Sequence, residues 1–94
     1  MSVIDEDRVF RVSGGSDPIP LATAISKALI EEPDVVLRAV GAAASNQATK
    51  AIAIARGHVA SRGGDLVCRP AFQTVPNREG DGEISALVFR VTTI

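Results

Sequence analysis

Ninety-four residues with 46% apolar content bound the chain to one small domain, and with only Phe10, Phe72 and Phe89 as aromatics its core must be aliphatic and alanine-rich. The formal net charge is −1 and Cys68 is the one cysteine, which excludes an intrachain disulfide and gives no overall cationic character. No apolar run approaches the roughly 20 residues of a membrane span, and Met1–Asp7 is acidic, without the basic and apolar regions of a signal peptide. The expectation is a soluble cytoplasmic protein with no membrane partner.

The charge is unevenly spread. Residues 35–78 hold Arg38, Lys50, Arg56, Arg62, Arg69 and Arg78 against Asp65 alone, a net +5, while the flanking segments are acidic. Such asymmetry permits a basic face on an acidic protein.

Residues 1–7 read as a disordered acidic lead-in, and residues 8–94 as a single domain. Arg8–Ser13 alternates, with Val9 and Arg11 on one side and Phe10 and Val12 on the other, and predicts a strand. Ser13–Asp17 is a loop, with Ser16 or Asp17 available to cap a helix that opens near Pro18. Leu21, Ala24, Ile25, Ala28 and Leu29 follow at helical spacing, and this helix ends near Glu32, before Pro33. Val35–Val40 is nearly all apolar and suits an inner strand. A loop over Gly41–Gln47 overlaps the start of a second helix near Ser45, with Ala48, Ala51, Ile52, Ala55 and Val59 on one face. That helix ends at Gly57 or runs to Gly63-Gly64. Leu66–Val75 is a third strand, and Pro70 inside it argues for an edge or a bulge. Asn77–Gly82 turns the chain into a fourth strand, Ile84–Thr93.

The order is βαβαββ. Right-handed crossovers place both helices on one face, giving an α/β two-layer sandwich over a four-stranded mixed sheet. Ala53 and Ile54 lie off the main core stripe of the second helix. A helix apolar on more than one side is buried twice, so a homodimer using this helix and the last two strands is expected.

No catalytic set is legible. His58 is the only histidine, so a clustered His/Cys metal site is excluded on numbers. Ser13, Ser16, Ser45 and Ser61 have no evident base, and Cys68 reads as a small buried hydrophobe. GxxxxGK[ST] and GxGxxG are both absent. The reading is a non-enzymatic binding module without a cofactor.

Ligands favour the end of the sheet where βα loops converge. Here those loops are Ser13–Asp17 and Gly41–Gln47. Both are built of small residues, so backbone can approach a ligand, and both feed helix N-termini that attract anions. Gly14 and Gly15 lie in the first loop. Asn46 and Gln47 can donate hydrogen bonds at the second, with Lys50 one turn further on. Equally, the glycines can serve tight turns, with Ser45 or Asn46 capping the helix.

The segments NQATKAIAIARG (Asn46–Gly57) and DLVCRPAF (Asp65–Phe72) resemble the stage V sporulation protein S family, whose members carry a similar NQAVKAIAIARG helix and a strand ending in PAF. The resemblance runs from about Val9 to Val91. It implies the Alba-like fold, a dimer built partly on the second helix, and binding of DNA or RNA. Asn46, Gln47, Lys50 and Arg56 match the family helix. Relatives carry Val-Ser-x-Lys-Ser in the first βα loop, whereas Val12-Ser13-Gly14-Gly15-Ser16 stands here, so Gly15 replaces a lysine. In Alba proteins the lysines of this loop make phosphate contacts. The Alba lysine near the start of the second helix falls at Gln47.

Two functions follow. In one, a dimeric regulatory protein binds nucleic acid weakly and salt-sensitively, with Gly14 and Gly15 near the phosphates, Asn46 and Gln47 hydrogen-bonding, and Lys50, Arg56 and Arg69 neutralising charge. In the other, the same loops bind a protein partner or a small anionic ligand such as a nucleotide, without nucleic acid.

Overall fold

A computed structural model describes residues 8–94 of the chain; the acidic lead-in lies outside the described residues. The elements are β1 (Val9–Val12), α1 (Pro18–Glu31), β2 (Asp34–Ala39), α2 (Ala42–Ala60), β3 (Leu66–Pro76) and β4 (Glu83–Thr93). This is the predicted βαβαββ order. The sheet is mixed, in the order β1-β2-β4-β3. β1 and β2 are parallel, and β4 runs antiparallel to both β2 and β3.

One aliphatic core joins the helices to one face of the sheet. Ile25 and Leu29 of α1 meet Ala48, Ala51, Ile52 and Ala55 of α2 over Leu37, Phe89 and Val91 of the strands. Alanines at the helix contacts let the two helices settle close to each other and to the sheet. Leu37 is fully buried at the centre.

Sequence dictates each boundary. Asp17 caps α1 by accepting from the Ile19 N–H at 3.0 Å. Pro18 fits the first turn, and Pro33 stops the helix from continuing past Glu32. Pro70 sits on β3, which is an edge strand, so its missing N–H opens no gap inside the sheet.

The expected start of α2 is corrected. It begins at Ala42, not near Ser45. Gly41 enters at φ 88°, a conformation that favours glycine, and three alanines then have the highest helix propensity. Ser45 is therefore not a cap; its Oγ donates back to the Gly41 carbonyl at 2.8 Å. Of the two ends expected, the later one is the nearer: the helix runs through Gly57 to Ala60, because Val59 behind it is buried in the core. The chain reverses instead at Gly63 (φ 83°), with the Gly64 N–H donating to the Val59 carbonyl at 3.1 Å.

The β3–β4 hairpin outreaches the rest of the sheet. β4 pairs with β2 only as far as Ala39↔Leu87, but with β3 as far as Pro76↔Glu83. Its tip therefore projects beyond the C-terminal ends of β1 and β2, on the side where the βα loops lie.

Candidate nucleic-acid interface

The two βα connections come together at that end. Gln47 Nε2 donates to the Ser16 carbonyl at 2.8 Å. Gly14 lies so close to α2 that a Cβ there would sit 3.0 Å from the Ala43 Cβ. A glycine is needed at that contact. Gly15 is different, since a Cβ there would meet only Ser13 Oγ, at 3.9 Å. The loop is closed on itself by the Ser13 N–H donating to Ser16 Oγ at 2.9 Å.

The N-terminus of α2 has no side-chain cap and no acidic residue in its first turn. Its first N–H groups and the positive end of the helix dipole lie at this end of the sheet, beside the first loop. Asn46 and Lys50 are exposed and share a face at i, i+4 spacing. Because α2 starts earlier than expected, Lys50 lies about two turns inside the helix rather than one.

The candidate residues separate into three groups. Gly14, Gly15 and Gln47 meet at the βα end, with Asn46 next to Gln47 and Lys50 one turn further along α2. Arg56 lies towards the far end of α2, where Nε donates to Asp65 Oδ1 at 2.7 Å and Nη2 to Asp65 Oδ2 at 3.2 Å. This two-pronged pair, joined by the Leu66 N–H, holds the Asp65 carboxyl down at about 2 and pushes the Arg56 guanidinium up. Arg69 is on β3 opposite Arg90, on the sheet face that the helices leave uncovered. The +5 of residues 35–78 is thus not one patch. Arg62 too is engaged, donating to the Ser26 hydroxyl at 2.9 Å and to its carbonyl at 3.2 Å, which satisfies the buried polar side chain of α1.

Arg11, Arg38 and Arg90 join Arg69 on the uncovered face, because each is in register with or two residues from its neighbours across the sheet. The charge tally singled out none of the three as site residues. Strand alternation, applied to all four strands together, carries the signal. Among the described residues no group of three His, Cys, Asp or Glu is placed to hold a metal ion, and no helix is long and apolar enough to cross a membrane.

A four-stranded mixed sheet with two helices, in βαβαββ order and with a long terminal hairpin, defines the Alba-like class. Alba from Thermoplasma volcanium superimposes with a TM-score of 0.57 at 16% identity, over 89% of this chain and 98% of that one. At that identity the likeness is one of fold. The family model for stage V sporulation protein S matches residues 8–94. The chain belongs to the stage V sporulation protein S family.

Proposed function

We propose that the protein is a regulatory nucleic-acid-binding protein that acts as a homodimer and holds phosphate backbone at the end of the sheet where the βα loops meet. The observation that carries this reading is the junction of the first loop with α2. Gln47 ties Ser16 in place, and Gly14 lets the loop close on Ala43. That presents small residues, uncapped helical N–H groups and the exposed Lys50 amine on one side, without a nearby carboxylate in the first turn of α2.

Dimerisation is supported by what one chain leaves uncovered. Phe72 is 80% exposed on β3, and Ile54 of α2 is only partly buried against the core. An aromatic ring so exposed and a helix face only partly covered each fit a surface completed by a second copy.

A specific observation favours the protein-partner or small-anion reading as the alternative. The hairpin tip sets Glu79, Asp81 and Glu83 against Arg78, which repels a phosphate chain where the hairpin projects beyond the ends of β1 and β2. Fluorescence anisotropy at low salt with labelled duplex DNA, single-stranded DNA and RNA tests the reading. Binding that weakens steeply as salt rises supports it. No binding to any of the three, beside a measurable response to a nucleotide, leaves the alternative.

A further inference from the structure

All four arginines of the described strands lie on one face of the sheet, the one without helices. Phe10, Val12, Leu37, Ala39, Phe89 and Val91 point into the core with the helices, so the residues alternating with them point away. Arg11, Arg38, Arg69 and Arg90 are among those, and Asp34 is the one strand carboxylate with them.

Their arrangement is costly for a sheet. Arg11 is directly opposite Arg38, and Arg69 is directly opposite Arg90. Like charges facing each other across adjacent strands repel. Stability alone favours alternating signs, and the face does not alternate. The arginine stems do cover a small second apolar patch: Val36, Ala86 and Val88 are buried yet stand apart from the main core. Arg38 Nε reaches over this patch to Gln73 Oε1 at 2.9 Å, and Arg90 Nη1 pairs with Asp34 Oδ2 at 2.9 Å. Burying apolar stems explains why long side chains stand here. Neither that nor the Arg90–Asp34 pair explains the positive charge of the exposed Arg11 and Arg69.

The two pairs form a stepped band. Arg38 is opposite Val88, and Arg90 is two residues further along the same strand. With strands about 4.8 Å apart and two residues spanning about 7 Å, the band crosses the sheet over roughly 14 Å. A shallow depression lies at one end, lined by Arg69, Pro70, Ala71, Phe72, Gln73, Val88 and Arg90. Phe10 and Phe89 pack into the core, which leaves Phe72, in the lining of this depression, as the one aromatic ring near the band.

We propose that this band is a second binding tract, for an extended chain of phosphate groups, separate from the βα-loop end. Guanidinium forks match phosphate oxygens in paired hydrogen bonds. Four guanidinium groups beside a single aromatic ring favour contacts to the phosphate chain over the stacking of successive bases. The phosphodiester backbone of a single-stranded nucleic acid and linear inorganic polyphosphate share that chemistry. That nucleic acid is the source rests on the function proposed above; the location of the tract does not.

The test uses Arg11→Gln/Arg69→Gln, because both side chains are exposed and neither has a partner among the described residues. The full chain is titrated at low salt with a labelled single-stranded oligonucleotide, with linear polyphosphate and with poly-glutamate. The double variant is expected to fold, with its thermal midpoint raised by about 1–4 °C as the repulsion is relieved. It is expected to bind both phosphate chains at least about tenfold more weakly, with the oligonucleotide salt slope shallower by about 1.4. Oligonucleotide and polyphosphate binding unchanged in the double variant overturns the tract and leaves the βα-loop reading standing. If the parent protein binds polyphosphate but no oligonucleotide, and the double variant loses it, the tract holds and the nucleic-acid reading fails. Poly-glutamate bound in preference to both phosphate chains overturns the tract in favour of an acidic protein partner.

Discussion

Arg56 and Asp65 close a two-pronged ion pair, at 2.7 and 3.2 Å, between the last turns of α2 and the entry to β3. The Asp65 Oδ1 also accepts from the Leu66 N–H at 2.8 Å. One carboxylate thus fixes how the chain leaves the helix and enters the edge strand. A guanidinium held by two hydrogen bonds to one carboxylate has much of its charge balanced there and is a weaker phosphate ligand than an unpaired one. Arg56→Ala should lower the thermal midpoint slightly and leave the salt slope of nucleic-acid binding unchanged. A slope that falls as far as it does for a true phosphate contact would return Arg56 to the interface.

The same pair sets a pH dependence. Asp65 titrates at about 2 in the folded protein, below its ordinary 3.8, because the Arg56 and Leu66 donors favour the charged form. Its contribution is complete above the ordinary value and is lost as pH falls from about 4 towards 2. Acid unfolding of Asp65→Asn should therefore be less steep through that window than that of the parent chain. Identical acid limbs for the two proteins would show that the pair contributes nothing to stability.

Lys50 carries the one exposed cation of the βα-end group. Lys50→Ala should weaken binding to all sequences alike and reduce the salt slope by about one. Its thermal midpoint should stay unchanged, since the side chain is solvated. Loss confined to one sequence would instead indicate base reading.

Phe72→Asp should convert a dimer into a monomer without unfolding it, because the ring packs against little within its own chain. Light scattering at tens of micromolar reads the outcome, about the range in which a weak dimer is populated. A dimer that survives the substitution moves the interface away from β3.

Leu37→Ala should cost about 2–5 kcal/mol in chemical denaturation, since the side chain is fully buried between the helices and the sheet. A cost under about 1 kcal/mol would mean that the core collapses around the missing atoms.

Element order was legible because each pattern had its own period. Leu21, Ala24, Ile25 and Ala28 repeat as a helix, and Val9–Val12 alternates as a strand. Pro70 narrowed β3 to an edge or a bulge, and the sheet order makes it an edge. The start of α2 was not, since Ala42–Ala44 has no side-chain signal and only the backbone of Gly41 marks the entry. Contacts between distant residues left still less trace. Nothing local says that Arg56 meets Asp65, that Arg62 serves Ser26 or that Gln47 reaches Ser16. Counting charge along the chain therefore merged arginines that the fold sends to three places. The opposed pairs Arg11↔Arg38 and Arg69↔Arg90 required the register, which no single strand encodes.

The central claim is that phosphate backbone rests at the βα end, and Gly15 tests it most directly. A side chain at this position meets open space, with Ser13 Oγ as the nearest atom at 3.9 Å, so Gly15→Lys adds one cation without disturbing Gly14 or Ala43. A salt series of anisotropy titrations compares it with the parent chain. The account predicts binding by both at low salt, tighter in Gly15→Lys and with a slope steeper by about one. No binding by either protein at low salt, or an added lysine that leaves affinity and slope unchanged, would contradict it.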